Sequence, residues 1–133
     1  MRTLICDDDP RLRSLYRQEF EWAGSEVLEA TDGDRCLEVA ERDRPDLIVL
    51  DLAMPRRGGL SALAALSERC PDTPVIVVSS YASADIADRT RILGARACFT
   101  KPGFLARIPE VALRFGRSLD GDEPLSQPAD DPY

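Results

Sequence analysis

The sequence predicts an α/β fold: a doubly wound, five-stranded parallel sheet with helices on both faces. Three observations carry this. Strand-like and helix-like segments alternate five times along the 133 residues. Leu47–Leu50 and Val75–Val78 are apolar at every position, as strands buried on both faces of a parallel sheet are. Four strand-like runs also end on one chemical set: Asp7 and Asp8 after Cys6, Asp51 after Leu50, Ser79 after Val78, and Lys101 after Thr100. Open α/β sheets bind ligands at the carboxyl ends of their strands. Neighbouring runs would therefore gather three carboxylates, a hydroxyl and an ammonium in one place, a set suited to a divalent cation and a phosphoryl group.

The elements follow in order. Arg2–Cys6 reads as the first strand. A helix runs from Pro10 to about Ala23, with Asp9 as its cap and Pro10 in its first turn. Leu12, Leu15, Tyr16, Phe20 and Ala23 recur on one face of it. Gly24 ends that helix, and Glu26–Ala30 is a short strand. A second helix spans about Asp34–Arg44, its apolar positions being Cys36, Leu37, Val39 and Ala40, and Pro45 stops it. After the strand Leu47–Leu50, a third helix follows Gly58-Gly59 and reaches Arg69, with Leu60, Leu63, Ala64 and Leu66 inward. Pro71 and Pro74 bracket the turn into the fourth strand. A fourth helix covers Ala84–Leu93, Ala97–Thr100 forms the fifth strand, and a last helix is expected from Pro109 to about Arg117.

The chain is long enough for one domain with a core of its own, and residues 1–119 are taken as that domain. Residues 120–133 hold Asp120, Asp122, Glu123, Asp130 and Asp131, prolines 124, 128 and 132, and no cation, which is the composition of a disordered tail. They carry five of the seven net negative charges, so the body is close to neutral and lacks the basic footprint of a nucleic-acid binder. No apolar run approaches membrane-spanning length, and no secretory leader is evident. The four cysteines are widely spaced and histidine is absent, which argues against zinc and for reduced thiols in a cytoplasmic protein.

Of the 17 cationic side chains, Lys101 is the one lysine; the remainder are arginines. A compact ammonium has been placed where a guanidinium served everywhere else, and the two groups are not interchangeable.

Cys6-Asp7-Asp8-Asp9-Pro10, Leu50-Asp51-Leu52-Ala53-Met54-Pro55, the strand ending in Ser79, and Thr100-Lys101-Pro102 together resemble the receiver domain of bacterial two-component response regulators, over about residues 2–118. The resemblance implies a flavodoxin-like (βα)5 sheet with strand order 2-1-3-4-5. It implies that Asp51 accepts a phosphoryl group from the phosphohistidine of a sensor histidine kinase or phosphotransfer protein. Asp8, Asp51 and the Ala53 carbonyl would bind Mg²⁺ (or Mn²⁺), Asp7 would hold a metal-bound water, and Ser79 and Lys101 would engage the phosphoryl group. Such a protein is no enzyme beyond its own phosphorylation and dephosphorylation. It would act as a monomer or weak dimer on a downstream protein, not on a nucleic acid or a membrane.

The chain departs from the family pattern in three places. Cys98 stands where the family usually has a Tyr or Phe that rotates inward, with Phe99 expected on the opposite face of the sheet. Gly103 replaces an aromatic after Lys101-Pro102, and Gly58 stands where an Asp often precedes the glycine equivalent to Gly59. Ala53 and Tyr81, at positions that influence hydrolysis in the family, offer no group to orient water, so slow self-dephosphorylation is expected. A cis Lys101–Pro102 bond is also implied.

Plainer readings go to Arg56-Arg57 as solvated loop charge, to Trp22 as packing, and to the acidic tail as simple solvation. The alternative function is a phosphorylation-independent adaptor on the same fold. An aspartyl-phosphate hydrolase would need a second Asp where Ala53 stands, and a flavodoxin-like cofactor site would need a phosphate loop where Asp7–Asp9 stand.

Overall fold

The computed structural model describes residues 1–54, 56–80 and 83–116. Five parallel strands, β1 (Arg2–Cys6), β2 (Glu26–Ala30), β3 (Leu47–Asp51), β4 (Val75–Ser79) and β5 (Ala97–Thr100), form one sheet in the order 2-1-3-4-5. They alternate with α1 (Pro10–Trp22), α2 (Gly33–Asp43), α3 (Gly59–Arg69), α4 (Ala84–Ile92) and α5 (Lys101–Gly116). The expected tail and the boundary at 119 lie outside the described residues, as does Tyr81. Among the described residues, no helix is long and apolar enough to cross a membrane.

Side chains alternate across each strand, so the sheet feeds two cores. Leu4, Cys6, Ile48, Leu50, Val77 and Cys98 face α2 and α3. Ile5, Val49, Ile76, Val78 and Phe99 face α1 and α5. Every residue of β3 and β4 is buried, which explains their unbroken apolar text.

Several expectations need correction. The last helix starts at Lys101, not Pro109, and Pro109 lies inside it. Gly103 and Pro109 read as breakers, but Phe104, Ile108, Val111 and Ala112 are all buried against the sheet. Burial of that helical stripe outweighs the local cost of one missing N–H, which falls on an exposed position. The Lys101–Pro102 bond is trans: no cis peptide bond occurs among the described residues. With Lys101 already helical, Pro102 sits in the first turn, where its missing N–H has no intrahelical partner to lose. On α1, Tyr16 and Phe20 are buried, whereas Leu15 is 44% and Trp22 is 87% exposed, so Trp22 does not serve packing. On α3, Ala62 rather than Ala64 faces the core.

Candidate acidic site at the carboxyl edge of the sheet

Strand register assembles the site. Cys6 pairs with Leu50, so the next residues, Asp7 and Asp51, stand side by side where β1 and β3 end. Asp51 pairs with Val78, and Ser79 with Thr100, so Ser79 and Lys101 follow one step beyond on the next two strands. Asp7, Asp8 and Asp51 each offer a carboxylate oxygen within 4.8 Å of the others. Asp7 and Asp51 are almost fully buried and Asp8 is exposed.

The hydrogen bonds leave specific capacity open. Asp7 Oδ1 accepts the Asp9 N–H at 2.8 Å, while Asp7 Oδ2 is buried without a partner. Asp51 Oδ1 accepts the Ala53 N–H at 3.1 Å, and Asp51 Oδ2 accepts from Lys101 Nζ at 3.2 Å. A buried carboxylate oxygen with no donor is costly, and three carboxylates this close repel one another. Both costs fall if a hard cation takes the site, since such ions prefer carboxylate oxygen.

The electrostatics follow the burial. Burial, followed by the charges of Asp51 and Asp8, pushes the Asp7 carboxyl up to about 6, against the Asp9 N–H and Lys101, which favour its charged form. Burial disfavours the Lys101 ammonium, but the Asp51 carboxylate overrides it and holds Lys101 above its usual range. Beneath the site, burial and then the Asp7 and Asp51 charges push up the Tyr16 hydroxyl, which is itself buried without a partner.

Beside Asp51, an open cleft of about 260 Å³ is bounded by Asp51, Ala53 and Ser79 on the site's side and by Leu52, Leu60 and Ile86. The turn after β3 is fixed by close packing. The Gly59 N–H donates to the Leu52 carbonyl at 3.0 Å, and a Cβ on Gly59 would lie 2.3 Å from Leu52 Cα, so only glycine fits there. Arg56 and Arg57 are exposed, as expected of loop charge; both adopt positive φ, and they also pair with Asp32 and Asp34 at the start of α2.

Every predicted site residue reaches this edge: Asp7, Asp8, Asp51 and Lys101 in one cluster, Ser79 and Ala53 along the adjoining cleft. Asp9 caps α1 by accepting the Arg11 N–H, as expected of a structural residue. Cys98 and Phe99 do face opposite sides of the sheet. Phe104, next to Gly103, is buried, with its ring centroid 5.2 Å from that of Tyr16 and 5.5 Å from that of Phe99. Gly58 is the N-cap of α3 and provides no side-chain bond, and its Cβ direction is open. Gly58→Asp is therefore expected to stabilise the fold by roughly a few tenths of a kcal/mol through a new cap, since glycine is itself a tolerable N-cap, read as a small rise in Tm.

Sequence reasoning missed Arg13, whose guanidinium donates to the Asp7 carbonyl at 3.0 Å. In so arginine-rich a chain, nothing in the text sets it apart.

The model of the response regulator receiver domain matches residues 3–112. The transcriptional regulatory protein PdtaR of Mycobacterium tuberculosis is 32% identical over 118 residues, covering 87% of this chain. This chain spans only 57% of PdtaR's length. Sporulation initiation phosphotransferase F of Bacillus subtilis is 27% identical, and the match covers 86% of this chain and 92% of that protein. Among solved structures, the receiver domain of the Francisella response regulator 1452 superposes with a TM-score of 0.83 at 26% identity, covering 89% of this chain and 98% of that one. A CheY-like receiver domain protein from Methanospirillum hungatei gives 0.75 at 26% identity, covering 88% and 97%. With the match spanning nearly all of the described sheet and helices, the chain belongs to the response regulator receiver domain family.

Proposed function

We propose that the protein is an Mg²⁺-dependent phosphoacceptor, phosphorylated on Asp51 by the phosphohistidine of a sensor kinase or phosphotransfer protein. The observation that supports it most is the arrangement around Asp51. Its carboxylate is buried between the Lys101 ammonium and an acidic pair, one oxygen of which has no donor. Asp8 and Asp51, with the Ala53 carbonyl, would hold Mg²⁺, and Asp7 would hold a water bound to it. Bound there, the ion would supply positive charge to the phosphoryl oxygens. The Asp51 carboxylate attacks phosphorus, an O–P bond forms, the P–N bond of the donor breaks, and the leaving imidazole takes up a proton from solvent. Lys101 keeps the nucleophile in place and then pairs with the transferred group, while the Ser79 hydroxyl donates to one of its oxygens. Charge neutralisation and positioning are what phosphoryl transfer chiefly requires. The output is a changed surface read by another protein in the cytoplasm.

Phosphoramidate offers the P–N bond of phosphohistidine in a small donor. With Mg²⁺ it is expected to give one acyl phosphate, cleaved by hydroxylamine; an adduct that resists hydroxylamine would contradict an aspartyl phosphate. The exposed Ala53 methyl gives no group to orient an attacking water, so the purified phosphoprotein is expected to persist for minutes or longer in Mg²⁺. Complete loss within seconds would count against that lifetime.

A further inference from the structure

We propose that Arg13 is a positioning residue for the acidic site, tying the turn that carries Asp7 and Asp8 to β2 through Glu29; this rests on the phosphoacceptor reading above. Arg13 Nη1 donates to the Asp7 carbonyl at 3.0 Å, and its Nε donates to Glu29 Oε1 at 2.9 Å. Its side chain is only 18% exposed. Glu29 is pinned from the other side by Arg17, whose Nε and Nη2 reach Glu29 Oε2 at 2.9 and 2.7 Å. Burial opposes the Glu29 charge, yet the bonds from Arg13 and Arg17 hold its carboxyl below the usual range. The carboxylate is thus a fixed anchor rather than a mobile surface group.

Asp7 is held at each of its backbone ends. Its N–H donates to the Ala30 carbonyl at the end of β2, and its carbonyl accepts from Arg13. Such bracing has a purpose where three like charges crowd together, because repulsion would otherwise open the turn and move the carboxylates off any shared ligand. Arg17 is the natural control. It shares Glu29 but donates otherwise to Glu21 and the Val27 carbonyl, none of them in the acidic turn. Side chains that orient ion ligands without touching the ion commonly change affinity by 10–100-fold when removed.

The test compares wild type with Arg13→Met, Arg13→Lys and Arg17→Met. Mg²⁺ binding is followed by calorimetric titration, and phosphorylation by phosphoramidate is followed at saturating Mg²⁺, with Tm measured in parallel. Arg13→Met is expected to weaken Mg²⁺ binding about tenfold and Arg17→Met less than twofold, although both lose an ion pair with Glu29 and lower Tm. Arg13→Lys, which can reach one acceptor but lacks the fork for both, should fall between. Equal losses in the two Met variants, or unchanged Mg²⁺ affinity in Arg13→Met, would overturn the assignment. A wild type that neither binds Mg²⁺ nor takes a phosphoryl group would overturn the phosphoacceptor reading, and this positioning role with it.

Discussion

Asp7→Asn is expected to raise the Tm of the metal-free protein at neutral pH while weakening Mg²⁺ binding at least tenfold. Asp7 is buried, one of its oxygens has no donor, and its carboxyl is pushed up to about 6 from an ordinary 3.8. Between about pH 4 and 6 the folded state therefore holds a proton that the unfolded chain has lost. Stability falls as pH rises through that window and carries the full cost above it. Asparagine carries no charge to desolvate. The variant should match wild type near pH 4 and exceed it by about 1–3 kcal/mol above pH 6, a few degrees or more in Tm for a domain of this size. Added Mg²⁺ should close the gap by stabilising wild type alone. Thermal melts at several pH values, with and without the ion, check this. A wild type more stable than the variant at pH 7 without metal would mean that Asp7 is a structural residue.

Lys101→Met should act in the opposite sense, costing both stability and rate. The ammonium donates to Asp51 at 3.2 Å, and Asp51 is 2% exposed, so removing the donor leaves a buried carboxylate with the Ala53 N–H as its remaining bond among the described residues. Because Lys101 is itself partly exposed, water can replace some of that bond, and a loss of about 1–2 kcal/mol is expected. The effect on phosphorylation is larger. A preorganised charge aimed at a transferring phosphoryl group is worth about 100-fold in rate. Lys101→Arg should not restore it, since a planar fork cannot place one compact charge between Asp51 and the incoming oxygens. Rates with phosphoramidate at saturating Mg²⁺ check this, and wild-type rates in either variant would remove Lys101 from the site.

The strands and the acidic edge were legible in the text because their signals are local. Leu47–Leu50 and Val75–Val78 are apolar runs with no other home than a sheet buried on both faces, and a residue one step past each run falls on the sheet's edge. α5 was legible only from Pro109 onward. Gly103 and Pro109 are unfavourable helix residues locally, and the packing of Phe104 and Ile108 that overrides them involves β5 and α1, distant in the chain. The apolar faces of α1 and α3 were right in period and wrong at their rims: Leu15 and Ala64 carry the pattern outward, and Ala62 carries it inward. Arg13 was invisible because its role depends on Glu29 and the Asp7 backbone meeting it in three dimensions.

The central claim is that Asp51 accepts a phosphoryl group with the help of Mg²⁺. The most direct measurement is intact mass after incubation with acetyl phosphate and Mg²⁺, on wild type and on Asp51→Asn. One labile phosphoryl adduct on wild type, absent from Asp51→Asn and lost when the metal is chelated, is the predicted result. An adduct that survives in Asp51→Asn, or none on a wild type that also fails to bind Mg²⁺, would contradict it; the second outcome would favour a phosphorylation-independent adaptor on the receiver fold.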